Sequence, residues 1–152
     1  MSRMRLAVGG LCLALALIAV TAAAADGQAV FEKRADAMKQ LGKPFYLTIG
    51  RAAKGSQPLG PDTVAAAETV AALAKTLQPD LFAPGSDVGG SKIKPEIFQQ
   101  PERVVALTDA VRTAVAQLVP AAQSGDRAAL SAAFGVASQA CAACHKAFRT
   151  ED

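Results

Sequence analysis

The chain has 152 residues, of which 51% are hydrophobic but only 5% aromatic, with no Trp and a single Tyr. Its apolar content is therefore mostly Ala, Leu and Val, which suits helices rather than strands and excludes a disordered chain, a collagen-like chain and, as a first choice, an all-β sandwich. A formal charge of +3 gives nucleic-acid binding little support.

Residues 1–25 have the pattern of a cleaved secretory leader. Arg3 and Arg5 supply a basic start, Leu6 to Val20 is free of charge, and the small residues Thr21 to Ala25 follow. The apolar run is shorter than the ~20 residues that a membrane span needs, so no stable anchor is expected after cleavage. Cys12 reads as leader filler, and the absence of a twin-Arg pair favours general secretion. Removing the leader leaves 14 basic and 13 acidic residues, a net charge of +1. It also leaves only Cys141, Cys144, His145 and Met38 among the Cys, His and Met residues.

The remaining chain, 26–152, reads as one domain of four helices. The first is expected over about 28–49, with Phe31, Met38, Leu41, Phe45 and Ile49 near helical spacing. Pro44 predicts a kink or restart within it. A Gly- and Pro-rich loop over 50–61 comes next. The second helix is expected from an N-cap at Asp62 to about Gln78. A connection over 79–100, with Pro84-Gly85 and Gly89-Gly90, is long enough to suggest a functional segment. The third helix opens at Pro101-Glu102 and continues to about Ala122, with Val104, Leu107, Val111, Val115 and Leu118 on one face. The fourth runs from Arg127, capped by Asp126, to about Arg149. Four amphipathic helices of this length predict an all-α antiparallel four-helix bundle. Its many Ala residues allow close helix approach but leave a thin core.

The chemistry is carried by Cys141-Ala142-Ala143-Cys144-His145, the C-x-x-C-H signature of c-type haem attachment. On a helix, residues three and four apart share a face. Two thiols and an imidazole thus reach one haem from one side. A dithiol site would want a βαβ context, which the pattern lacks. Structural zinc would want four ligands, and Cys141, Cys144 and His145 provide three. A disulfide between adjacent turns would cross-link little. For the other axial position of the iron, Met38 is the one remaining thioether, and it could equally be a core residue on its stripe.

A C-x-x-C-H on the last of four helices resembles the class II c-type cytochromes, the cytochrome c′ and cytochrome c556 group. The likeness extends to Arg34 to Lys39, to Phe82-Ala83-Pro84-Gly85-Ser86, to Lys94-Pro95-Glu96-Ile97-Phe98, and to Ala133-Phe134-Gly135 and Phe148-Arg149. The resemblance implies one covalent haem c per chain, attached through Cys141 and Cys144, with His145 as proximal iron ligand. It implies that Arg149 lies beside that proximal face, that Arg34 lies near a haem propionate, and that Lys92 and Lys94 border the haem edge. Phe82 and Phe98 read as packing. Met38 takes the position facing the iron from the distal side, a ligand in the c556 branch and a non-ligand in the c′ branch. Pro44 and Phe98, where the family has helix and Trp, are departures, and a kink at Pro44 would move Met38.

The function expected is electron carriage in the periplasm rather than enzyme catalysis, with periplasmic redox proteins as partners and a homodimer as a further option. The alternative is a five-coordinate cytochrome c′ that binds nitric oxide or carbon monoxide. A secreted dithiol redox protein is a remote third.

Overall fold

The computed structural model describes residues 26–151, so the expected leader lies outside the described residues. Those residues form four helices, and no strand occurs among them. Helix α1 spans 26–53, α2 spans Pro61–Ala74, α3 spans Pro101–Gln123 and α4 spans Arg127–Phe148.

Pro44 neither breaks nor ends α1. Its backbone is helical, with φ −66° and ψ −34°. Because it has no N–H, the carbonyl four residues earlier loses its usual donor. The chain responds by widening: Phe45–Ile49 winds as a π turn, and the Gly50 N–H donates to the Phe45 carbonyl five residues back. The helix then continues through Gly50–Ala53, so four residues assigned to the loop from sequence are helical. The π turn buries Phe45 and Ile49 while leaving Tyr46 and Leu47 exposed.

Other ends differ from expectation for equally local reasons. Helix α2 is capped by Gly60, with Pro61 as its first residue, so Asp62 sits within the first turn. There its carboxylate still complements the helix dipole. The helix stops at Ala74, and 75–77 close as tight turns instead of reaching Gln78. Helix α3 has a turn at Gln117, between Pro101–Ala116 and Leu118–Gln123. It is long and apolar enough to cross a membrane by length and composition alone, but Val104, Val111, Val115 and Leu118 are buried against the other helices.

The bundle is antiparallel. Arg127, opening α4, donates to the Ala52 carbonyl at the end of α1. At the other end, Arg103 of α3 lies over the Phe148 ring of α4, 5.4 Å from its centroid. The core runs through Ala67, Val70, Val111, Leu118, Leu130 and Ala137, and small residues dominate it on α2. The connection between α2 and α3 is not slack. It contains the 3₁₀ turns Pro79–Phe82 and Pro95–Gln99, which bury Leu81, Phe82 and Ile97. Its last part is tied to the end of α4 by an antiparallel bridge between Ile93 and Arg149. The Lys94 N–H donates to the Phe148 carbonyl and the Thr150 N–H to the Lys92 carbonyl, both at 2.8 Å.

The start of α1 packs closely on this connection. A Cβ built at Gly27 would lie 2.1 Å from the Gly85 carbonyl oxygen. Gly27→Ala is therefore expected to push the helix off the connection and cost about 1–3 kcal/mol. Denaturant unfolding followed by far-UV circular dichroism measures it, and an unchanged midpoint would contradict the packing.

Candidate functional site

The site is built on α4. Gly125, at φ +69°, turns the chain out of α3, and the Asp126 carboxylate accepts from the Ala128 N–H at 2.8 Å to start the new helix. From there the helix is regular to Phe148, so Cys141, Cys144 and His145 share one side of it. Neither cysteine is paired in a disulfide, and both are half-buried. Burial pushes the Cys141 thiol up, and burial together with the neighbouring Cys141 does the same to Cys144. Burial thus favours the protonated thiol at both positions. His145 reaches solvent on one side. Burial on its other side lowers its pKa, and the Arg149 charge acts in the same direction. Its ring is neutral at pH 7, the state a metal ligand requires.

Beside these three residues lies a cavity in two parts. The inner chamber, about 120 Å³, lies among all four helices, and its walls include Leu41, Phe45, Val70 and Val111. The outer chamber, about 350 Å³, lies under the long connection and is bordered by Phe31, Arg34, Ile93 and Phe148. Met38, Phe82, Cys144 and His145 line both. Met38 therefore stands on α1 across the cavity from His145 on α4. The pairing expected from sequence is brought together in space, and the π turn at Pro44 lies downstream of Met38 without displacing it from the cavity wall.

Arg34 occupies an unexpected setting. It is only 5% exposed. Its Nη1 donates to the Leu81 carbonyl and the Ser86 Oγ, both at 2.8 Å, and its Nη2 donates to the Ser86 carbonyl at 2.6 Å and the Ser91 Oγ at 3.0 Å. The guanidinium thus clamps the connection to α1 one turn before Met38, with its fork matched to four acceptors. Burial lowers its pKa, partly offset by Asp87, and an Arg stays charged under such a shift. Arg149 borders the outer chamber, and its N–H donates to the His145 carbonyl at 2.8 Å. Lys92 borders the outer chamber as well. Lys94 does not; it borders a separate surface hollow with His145, Lys146, Arg149 and Glu151, and its Nζ lies 3.4 Å from the Lys146 carbonyl. Phe82 is buried and Phe98 half-buried, consistent with packing.

Sequence reasoning assigned no role to Ser86 and Ser91, the clamp's acceptors, or to Gly42, Tyr46 and Thr108 in the inner wall. The two serines left a faint signal, flanking the glycines of a long polar connection. The chamber residues left none, because contact between distant helices has no sequence periodicity.

The donor set discriminates among cofactors. Among the described residues no cluster of three or more His, Cys, Asp or Glu residues could hold a bare metal ion. Two thiols and a neutral imidazole beside an apolar chamber, with a thioether across it, suit iron carried within a flat apolar macrocycle.

Comparison with known proteins agrees. The sequence profile of the family described as Cytochrome C′ matches residues 29–149. The chain is 34% identical over 143 residues to a cytochrome c′ of Cereibacter sphaeroides, covering 90% of this chain and 93% of that one. It is 31% identical over 118 residues to a cytochrome c-556 of Agrobacterium tumefaciens, covering 78% and 94%. The structure of a ferrous cytochrome c′ variant from Alcaligenes xylosoxidans with bound NO superposes with a TM-score of 0.73 at 26% identity, covering 83% of this chain and 97% of that one. With the C-x-x-C-H on the last helix of a four-helix bundle, the chain belongs to the cytochrome c′ family of class II c-type cytochromes, haem proteins that carry electrons or bind gases.

Proposed function

We propose that this protein is an exported electron carrier of the periplasm with one haem c, held by thioethers to Cys141 and Cys144, with His145 as proximal and Met38 as distal ligand. The observation that carries this reading is that Met38 of α1 and His145 of α4 border the same two chambers. The haem would supply an iron that alternates between ferric and ferrous states. The chain's part is to fix the ligands, exclude water and tune the potential. The apolar walls keep solvent from the distal side, the neutral His145 ring offers its lone pair, and the Arg34 clamp holds the connection across the outer chamber. Residues 1–25 would direct export, and 26–152 would be the working domain.

A second reading has its own support. The relatives include several named cytochrome c′, and one superposed structure has NO bound. If Met38 only packs against the distal face, the apolar chamber leaves the iron open to nitric oxide or carbon monoxide.

One spectrum separates the two. A holoprotein that is low-spin in both redox states, with the far-red sulfur–iron band when ferric, supports Met38 ligation. Met38→Ala is then expected to become high-spin, to lose that band, to bind carbon monoxide when ferrous and to have a lower reduction potential. An unchanged spectrum would assign Met38 to packing and favour the gas-binding reading.

A further inference from the structure

The two chambers beside Met38 and His145 differ in charge. Among the described residues that line the inner one there is no Asp, Glu, Lys or Arg. The outer one is bordered by three cations, Arg34, Lys92 and Arg149, and by no described Asp or Glu. Lys92 and Arg149 are exposed, so water and salt screen them. Arg34 is buried, and its field is screened far less.

A buried charge normally sits against an opposite charge. The four hydrogen bonds of Arg34 end instead on two carbonyls and two hydroxyls, which stand in for water but carry no net charge. The Phe31 ring lies over its guanidinium carbon, 5.8 Å to the centroid, again without net charge. Asp87, exposed and next to Ser86 in the chain, is a carboxylate whose field reaches it. The family resemblance implies a place for Arg34 near a haem propionate. The two terminal nitrogens of its fork hold four hydrogens, and the protein already offers them four acceptors. A propionate could not take that fork without releasing the connection.

We propose that the buried charge of Arg34 raises the reduction potential of the haem through space, with its hydrogen bonds committed to the connection rather than to a propionate. The proposal rests on the bound haem of the function proposed above, and it holds whether or not Met38 is a ligand. Ferric haem carries one more positive charge than ferrous haem, so a fixed cation on the chamber wall opposes the ferric form. The clamp serves the same end. Its acceptors hold the connection and also keep the charge in one place, beside the chamber that Met38, Cys144 and His145 line.

The test is equilibrium redox titration of the holoprotein, followed by its α-band at about pH 6, which favours the ammonium form of an introduced lysine. Arg34→Leu removes the charge without adding a second thioether to the chamber. It is expected to move the ferric-to-ferrous ratio at a given solution potential about tenfold toward ferric, a fall of about 59 mV for this one-electron couple. The shift should persist between about 0.01 M and about 1 M salt, because the charge is buried. Arg34→Lys breaks the fork but keeps the charge, so its potential should stay near that of the parent although its stability falls. Ser86→Ala removes an acceptor and no charge, and should leave the potential unchanged. Asp87→Asn, at an exposed position outside the clamp, should move the ratio about twofold the other way at about 0.01 M salt and less at about 1 M. An Arg34→Leu potential equal to that of the parent would overturn the proposal. So would equal falls for Arg34→Leu and Arg34→Lys, which would assign the effect to the geometry of the clamp. If Arg34→Leu does not fold around haem, Asp87→Asn decides, and a potential unchanged or lowered at low salt overturns the proposal. A parent preparation without a c-type haem spectrum would defeat the haem reading itself, and the proposal with it.

Discussion

Replacing both Cys141 and Cys144 with Ser is expected to abolish retention of haem through extraction with acidified butanone, whereas the parent protein keeps it. The reason lies in α4. Neither is held in a disulfide, both are half-buried, and both line the inner chamber three residues apart on one helical face. Each single variant should keep one thioether, so that haem stays with the protein but its α-band shifts. The double variant should lose stability as well as cofactor. The core of this Ala-rich bundle has few bulky side chains to close over an emptied chamber, and bound cofactor contributes stability in proportion to its affinity for the folded state. Haem that survives extraction from the double variant would mean that attachment lies elsewhere in the chain.

Arg34→Met is expected to destabilise the holoprotein by several kcal/mol, at about 1–3 kcal/mol for each buried acceptor left unsatisfied. Methionine nearly matches the length of the side chain but none of its donors. The Leu81 and Ser86 carbonyls and two hydroxyls would lose their partner. Ser86→Ala should cost about 1 kcal/mol, since Arg34 keeps three of its four acceptors. Arg34→Lys should fall between, because an ammonium retains charge but cannot span four acceptors in a fixed fork. Denaturant unfolding by circular dichroism gives the stabilities, and the haem spectrum reports whether Met38, one turn away, moves when the clamp is released. A cost below about 1 kcal/mol for Arg34→Met would show that the connection is held by other contacts.

The helices were readable because their signals are local. Asp126 before an apolar period and Pro101-Glu102 at a first turn marked the starts of α4 and α3 to within a residue. The signals misled where two local rules competed. Asp62 is a good capping residue, yet Gly60 with Pro61 took the cap position two residues earlier and left Asp62 inside the first turn. Pro44 is a helix breaker by propensity, but α1 packs against α4 through Phe45 and Gly50, and that packing carries the helix through the proline as a π turn.

The sequence by itself determined the chemistry: two thiols and an imidazole at helical spacing, and a single thioether beyond the leader to face them. That much depends only on covalent order and a 3.6-residue period. The tertiary structure decided the rest. It put Met38 and His145 on one cavity, turned Arg34 inward to clamp the connection, and carried α1 through Pro44 as a π turn. None of these follows from periodicity, because each depends on which helices become neighbours. That choice is made by burial summed over the whole chain rather than by any local stretch of it.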